Sequence, residues 1–172
     1  MHLSALAAYE STLCVRCNRL NRRRLAGPFF AAISRLGDGV FWYCLMVMMV
    51  LVYGDWQLTG LMCLTGAAST LVYRWLKLHT QRPRPCETYT MPHLTVAPLD
   101  RFSFPSGHTL HAVGFTLLVT HAHSELGWFL IPFASLVACS RLVLGLHYPS
   151  DVLSGAAIGS LMATAAIYLA NG

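Results

Sequence analysis

The chain has 172 residues, of which 55% are hydrophobic and only 11% are charged, and its mean hydropathy is +0.52. This composition is too apolar for an ordinary soluble domain and the length suits one domain, so we expect an integral membrane protein. The formal net charge of +5 then indicates membrane topology, contact with anionic lipid or an anionic substrate, and no nucleic-acid partner is predicted.

The N-terminal region, residues 1–36, is predicted to be amphipathic and interfacial. Between residues 3 and 20, apolar side chains recur at helical spacing, with Glu10 and Arg19 among them. A helix of this kind lies on a membrane more readily than it crosses one. A second, moderately apolar piece covers residues 25–36, and the pattern leaves open whether it inserts.

Five apolar runs predict a transmembrane core over residues 40–170. The runs are Val40–Tyr53, Leu58–Leu78, Gly107–His123, Leu126–Leu146 and Asp151–Ala170. We therefore predict an all-α fold in which residues 1–172 form a single domain. It is a polytopic transmembrane helix bundle with five spans, or six if residues 25–36 insert. In the last run Gly155, Gly159 and Ala163 recur every four residues, and such small residues let helices approach closely.

Three polar segments are expected to meet at one membrane face, because consecutive spans alternate in direction. These segments are residues 77–84, 105–108 and 140–151. Nothing in the apolar packing of the spans requires this coincidence. The count of spans therefore predicts a functional site at that surface, independently of any motif.

The third polar segment carries the residues best suited to chemistry. Asp151 follows His147 by four residues and could hold one imidazole nitrogen while the other attacks an electrophile. Arg141 has the planar fork that suits a phosphate or a carboxylate. The structural alternative is that His147 caps a helix end and that Arg141 reaches out to the interface.

The other two segments add groups that can bind an anion. Lys77–Pro85 is a cationic arm, suited either to interfacial anchoring or to neutralising an anionic head group. Ser106 and Gly107 begin a helix, where free N–H groups and the helix dipole favour an anion, although Ser106 could also be a simple N-cap. His108 is placed to protonate a leaving oxygen. Together these groups suit phosphoryl transfer.

No metal or other cofactor is predicted. The acidic residues at positions 38, 55, 87, 100, 125 and 151 are scattered along the chain, which supports a two-metal site poorly. Cys14 and Cys17 have redox or half-zinc spacing, but no second pair accompanies them. Cys86–Arg101 belongs to a long loop that could gate the site or recognise the substrate, and Arg82 could touch a head group.

The three segments, read together, resemble a known signature. Lys77-x6-Arg84-Pro85, Pro105-Ser106-Gly107-His108 and Ser140-Arg141-x5-His147-x3-Asp151 are similar to the motifs of the type 2 phosphatidic acid phosphatases, lipid phosphatases related to the vanadium haloperoxidases. The resemblance implies that His147 is a nucleophile that forms a phosphohistidine, that Asp151 orients it, and that His108 protonates the leaving group and later activates water. It also implies metal-free chemistry and phosphoryl binding by Lys77, Arg84, Ser106, the Gly107 amide and Arg141.

The expected substrate is a lipid phosphate, because the site lies at a membrane surface. Candidates are a polyprenyl phosphate or diphosphate, phosphatidylglycerol phosphate and phosphatidic acid. Phosphoryl transfer to a second lipid and non-catalytic binding or transport of anionic lipids are the alternatives. We expect the protein in the bacterial inner (cytoplasmic) membrane, where the distribution of Lys and Arg favours a site that faces the cytoplasm. If residues 25–36 cross the membrane, the N-terminal arginines move to the opposite face and the site faces outward. The sequence makes no prediction about oligomeric state.

Overall fold

The computed structural model describes residues 2–88, 96–98 and 100–172, with side chains from residue 9 onward. All regular secondary structure in these ranges is helical, which confirms the all-α prediction. The α-helices are α1 (His2–Asn18), α2 (Ala26–Arg35), α3 (Phe41–Leu51), α4 (Trp56–Thr80), α5 (Pro85–Thr88), α6 (Gly107–Ala122), α7 (Gly127–Val143) and α8 (Pro149–Asn171). Short 3-10 turns cover Arg19–Arg22 and Ser124–Leu126.

A kinked π-helical turn, Leu36–Val40, joins α2 to α3. Asp38 and Gly39 depart from helical geometry within it, and Gly39 has a φ of +126°, which a glycine tolerates because it has no β-carbon. The resulting segment Ala26–Leu51 is long and apolar enough to cross a bilayer. The apolar piece around residues 25–36 is therefore continuous with the first predicted span.

Three helical segments in the described ranges could cross a membrane by length and composition: Ala26–Leu51, Ser124–Val143 and Pro149–Asn171. They support an integral membrane protein. Two helices at predicted spans, α4 and α6, are not among these three; α4 has 25 residues, and α6 has 16, fewer than the ~20 that a typical span needs. The total of five to six spans and the interfacial position of α1 therefore stay predictions.

Helix α6 lies inside the bundle, where it packs against α4, α7 and α8. Its side chains Phe115, Leu118 and Val119 are buried, and they share one apolar core with Trp42 of α3 and Phe133 of α7. The first turn of α6 carries Gly107 and His108, so the burial of this helix fixes the position of the second polar segment.

Two glycines of α8 allow its close approach to α6. A β-carbon at Gly159 would lie 2.3 Å from the carbonyl oxygen of Leu110, and one at Gly155 would lie 2.6 Å from that of Ser106. The small-residue stripe found in the sequence therefore faces α6. The approach also lets the Ser106 N–H donate to the Asp151 carbonyl oxygen at 3.0 Å, which ties the second polar segment to the third.

The substitution Gly159→Ala should lower stability, because the added methyl group collides with backbone that cannot move without separating α6 from α8. We expect a loss of about 1–3 kcal/mol, the usual range for overpacking. Thermal unfolding in detergent measures it. Gly60→Ala in α4 is the matched control, since no atom lies within 4 Å of its β-carbon position, and it should be neutral or slightly stabilising. Equal melting temperatures for the two variants would contradict the packing argument.

Candidate active site

The three polar segments meet around a cavity of about 460 Å³ at one end of the bundle. The cavity is lined by six of the predicted site residues, namely Lys77, Arg84, Gly107, His108, Arg141 and His147. The other two, Ser106 and Asp151, are fully buried behind this lining. The structure thus brings together groups that come from α4, the α4–α5 connection, α6, α7 and α8.

The backbone after α7 turns back and places His147 beside Arg141. Gly145 follows the helix end with a φ of +71°, the left-handed conformation in which helices commonly terminate at glycine. The N–H groups of Leu146 and His147 then both donate to the carbonyl oxygen of Arg141, at 3.1 and 3.3 Å. Gly145 is therefore required for the return of the chain that brings the imidazole to the cavity.

The start of α8 orients the imidazole of His147. Tyr148 is the N-cap and Pro149 occupies the first turn, while Asp151 Oδ2 accepts a hydrogen bond from the Tyr148 N–H at 2.8 Å. The same oxygen lies 3.6 Å from His147 Nδ1, slightly longer than a hydrogen bond. On the opposite side of the ring, Nε2 lies 3.3 Å from Arg84 Nη1.

These contacts define the tautomer of His147. A guanidinium can only donate hydrogen bonds, so the Nε2 that faces Arg84 carries the lone pair and Nδ1 carries the proton. Nδ1 lies 3.6 Å from Asp151 Oδ2 and makes no hydrogen bond with the described residues. Burial lowers the pKa of His147 well below its usual value, and the nearby cations Arg141, Arg84 and Lys77 lower it further. The imidazole is therefore neutral at pH 7, and the lone pair of its Nε2 points to Arg84 and the cavity.

Three buried cations face the same cavity. Arg84, 1% exposed, donates from Nη1 to the Leu146 carbonyl oxygen at 2.7 Å. Arg141 donates from Nη1 to the hydroxyl of Ser34 in α2. Lys77 projects from the last turn of α4. This concentration of positive charge suits an anion with several oxygens, such as a phosphoryl group.

Sequence reasoning missed the carboxylate that neutralises two of these cations. Asp100 accepts hydrogen bonds from Lys77 Nζ at 2.8 and 2.7 Å and from Arg84 Nη2 at 2.5 Å. Burial alone would raise the pKa of Asp100, but Lys77 and Arg84 outweigh it and the pKa is lowered. Asp100 belongs to the loop after α5, and its carboxylate occupies donors that a phosphoryl group would use.

A second carboxylate, also missed, contacts His108. The Asp38 Oδ1 atom lies 3.2 Å from His108 Nε2, because the kink between α2 and α3 points Asp38 at the first turn of α6. A carboxylate there can stabilise a protonated imidazole. The sequence gives only a weak signal for such a contact. An ionisable residue in an apolar stretch near lipid is expected to have a partner, but the sequence does not say which one.

Ser106 acts as the N-cap of α6. Its hydroxyl accepts from the Thr109 N–H at 3.5 Å and shares a hydrogen bond of 3.0 Å with the Thr109 hydroxyl. The side chain thus takes the capping role that the sequence allowed, and the backbone of Gly107 lines the cavity. His111, one turn beyond His108, contacts Thr70 and the Gly66 carbonyl oxygen and so helps to join α6 to α4.

The fold and the site define an integral membrane protein with a cation-lined cavity beside a His–Asp pair. More particularly, the chain belongs to the PAP2 superfamily, whose family model matches residues 58–172. This match covers all three polar segments and begins after α1, α2 and α3.

Two curated relatives come from Bacillus subtilis. The chain is 28% identical over 123 residues to undecaprenyl-diphosphatase BcrC, a match that covers 70% of this chain and 63% of that protein. It is 34% identical over 116 residues to phosphatidylglycerophosphatase B, covering 59% of this chain and 53% of that protein. The chain therefore spans less than two thirds of the length of either relative.

The fold is also similar to that of a solved structure, the transmembrane PAP2-type phosphatidylglycerolphosphate phosphatase from Bacillus subtilis. The TM-score is 0.79 at 23% sequence identity, over 97% of this chain and 87% of that one. The similarity covers nearly all of this chain, including most of the N-terminal region that the family model does not match, and it shows a shared fold.

Removal of the Asp100 carboxylate should strengthen anion binding, because Lys77 and Arg84 then lose a competing partner. For Asp100→Asn we expect inorganic phosphate to bind about fivefold more tightly, which corresponds to the ~1 kcal/mol of a partly exposed ion pair. Isothermal titration of the purified protein measures this. Glu87→Gln removes an exposed carboxylate of the neighbouring helix α5 and should change nothing. Weaker binding by Asp100→Asn would show that Asp100 instead holds the cations in place.

Proposed function

We propose that the protein is a metal-independent lipid phosphatase that hydrolyses a phosphomonoester or diphosphate of a lipid through a phosphohistidine on His147. One observation carries the proposal. The unprotonated Nε2 of His147 faces a cation-lined cavity, 3.3 Å from Arg84, while Asp151 stands behind Nδ1. A neutral imidazole held in this way is a nucleophile directed at the place where a phosphoryl group binds.

In the first step, the Nε2 lone pair attacks phosphorus and the bond from phosphorus to the lipid oxygen breaks. Binding of the phosphoryl group places negative charge beside His108, which favours its protonated form. His108, 3.2 Å from Asp38, then gives its proton to that oxygen. Asp151 stabilises the positive charge that develops on the imidazole of His147. Lys77, Arg84, Arg141 and the Gly107 amide contact the phosphoryl oxygens, where the transition state carries most of its charge.

In the second step, water replaces the imidazole on phosphorus. His108, now neutral, accepts a proton from the water as its oxygen attacks. The bond between phosphorus and Nε2 breaks, inorganic phosphate leaves, and His147 regains its lone pair. His108 is again protonated, so the site is ready for another turnover and the overall reaction consumes one water.

An apolar groove supports a lipid as the substrate. The groove has a volume of about 350 Å³ and shares Asp38 and His108 with the phosphate cavity. Its apolar lining includes Trp42, Met62 and Phe115. A hydrocarbon chain can occupy this groove while its phosphate meets the cations, with the leaving oxygen near His108. Polyprenyl phosphates and diphosphates, phosphatidylglycerol phosphate and phosphatidic acid all have this form, and the names of the two relatives agree with the polyprenyl and glycerophospholipid classes.

We also propose that the site faces the cytoplasm from the bacterial inner membrane. Asn18, at the end of α1, donates to the carbonyl oxygen of Val143 at 3.0 Å, so the N-terminal helix lies at the same end of the bundle as the site. The basic run at residues 22–24 follows α1 after a gap of three residues. Positive charge collects at this end, and cytoplasmic loops are enriched in Lys and Arg.

Purified protein in detergent should release phosphate from one class of lipid in a panel of polyprenyl diphosphate, polyprenyl phosphate, phosphatidylglycerol phosphate and phosphatidic acid. His147→Ala should reduce the release to background, because it removes the Nε2 atom that attacks phosphorus in the proposed mechanism. His121→Ala, an exposed histidine at the far end of α6, should retain full activity. Release that survives in His147→Ala would remove the nucleophile assignment. Phosphate transfer to an added acceptor lipid without net release would favour the phosphotransferase alternative, and binding without turnover would favour the transport alternative.

Turnover should not depend on a divalent metal. We expect full activity after dialysis against EDTA, because cations of the chain itself stabilise the phosphoryl charge. Orthovanadate should inhibit, since it can accept Nε2 of His147 as a fifth ligand and so imitate the transition state. Phosphate release measured with and without each reagent tests both. Loss of activity in EDTA that only added Mg²⁺ or Mn²⁺ restores would contradict the mechanism.

A further inference from the structure

A network of ion pairs leads from Asp151 to the N-terminal helix. Arg82 Nη1 lies 2.7 Å from Asp151 Oδ1 and 2.7 Å from the Ser150 hydroxyl. Arg82 Nη2 lies 2.7 Å from Glu10 Oε2, and the other oxygen of Glu10 accepts from the Ser150 N–H at 3.0 Å. Glu10 and Arg82 thus hold the first turn of α8 between them.

Arg82 does not contact the phosphate cavity, although it precedes Arg84 by only two residues. The cavity lining contains Arg84 and not Arg82, and the Arg82 guanidinium stacks on the ring of Tyr148 at 4.0 Å. The sequence-based suggestion that Arg82 touches a head group is therefore not supported by its position. Its contacts lie behind Asp151, on the side away from the substrate.

Helix α1 contacts the chain around His147 at two further points. Cys14 Sγ lies 3.8 Å from the carbonyl oxygen of His147, and Asn18 donates to that of Val143. Both residues are fully buried. The family model begins only at residue 58, so α1 lies outside the part of the chain that defines the family, yet it packs against the turn that carries His147.

We propose that Arg82 and Glu10 are positioning residues of the reaction, and that α1 supplies Glu10 as an essential part of the site. The inference rests on the proposed function. Arg82 fixes one oxygen of the fully buried Asp151 and the Tyr148 N–H fixes the other, so the carboxylate can present only Oδ2 to His147. Glu10 balances the charge of Arg82, which leaves more of the negative charge of Asp151 available to the imidazole.

Other charged and titratable groups also face the pair His147 and Asp151. They are Lys77, Arg84, Arg141, His108, Cys14 and Arg82. Glu10 is an anion among these mainly cationic groups. Its removal therefore leaves the environment of His147 more positive, whereas the removal of Arg82 leaves it less positive.

The test compares Arg82→Gln with Glu10→Gln. Removal of a nearby cation raises the pKa of His147, and removal of a nearby anion lowers it. The acidic limb of kcat/KM should therefore move to higher pH in Arg82→Gln and to lower pH in Glu10→Gln. We expect kcat to fall at least tenfold in Arg82→Gln with KM within twofold of the wild type, since Arg82 does not contact the phosphate. Arg82→Lys should recover part of kcat.

Two controls show whether the effect is specific. Arg16→Gln removes an exposed cation from α1, and Glu87→Gln removes an exposed carboxylate from α5; neither should change the pH profile. A rise in KM at unchanged kcat in Arg82→Gln would show that Arg82 binds the phosphate. Shifts of both variants in one direction, or lower melting temperatures with unshifted profiles, would show a merely structural role, and either result would overturn the proposal.

Failure of the proposed function can be distinguished from failure of this inference. A wild-type protein without turnover on any lipid would disprove the function alone. The pair is then tested through the titration of His147, followed by NMR of ¹⁵N-histidine-labelled protein in detergent, with His147→Ala to assign the signal. Opposite shifts in the two variants would support the positioning pair, and equal or absent shifts would overturn it.

Discussion

The arrangement of the site depends on the buried carboxylate of Asp151. One of its oxygens accepts the Tyr148 N–H and faces His147, while the other pairs with Arg82. Its backbone carbonyl oxygen accepts from Ser106. A single residue thus connects all three polar segments. A buried charge costs several kcal/mol unless it is paired and hydrogen-bonded, so Asp151 is stable only when the segments that satisfy it are assembled.

Small residues set the distances over which these charged groups act. Gly155 and Gly159 bring α8 so close to α6 that the N-termini of the two helices are joined by a backbone hydrogen bond. Gly145 reverses the chain after α7 and returns His147 to Arg141. Because helix packing and backbone turns fix the proposed catalytic groups without a substrate, little ordering would be needed on binding, which is the condition for effective positioning.

Much of this could be predicted from the sequence. The helical class follows from apolar runs, and the meeting of the three polar segments follows from the alternation of spans. The continuity of α2 and α3 could not be predicted. Gly37-Asp38-Gly39 is typical of a loop between two helices, whereas in the structure these residues lie in a π-helical turn that connects the two helices.

The carboxylate partners were missed for a different physical reason. Glu10 lies 72 residues from Arg82, and Asp100 lies 23 residues from Lys77. Hydrophobic periodicity reports which face of a helix is buried, but it carries no information about which distant charges pair. The scatter of the acidic residues along the sequence argues against a two-metal site. In the fold, Glu10, Asp38 and Asp100 instead each meet a cation or a histidine of the site.

The carboxylates also explain how a site so rich in buried cations can exist without substrate. Lys77 and Arg84 would repel each other and lose hydration in an empty cavity, but Asp100 satisfies both. Under the proposed function, a phosphoryl group would exchange with the Asp100 carboxylate. The binding free energy would then be the difference between two anions at the same cations, without the full desolvation cost of two cations. Arg82 holds Asp151 outside the cavity, so an exchange at Asp100 would leave His147 in place. An exchangeable counterion that is separate from a permanent one would let such a site bind and release phosphate with its geometry preserved.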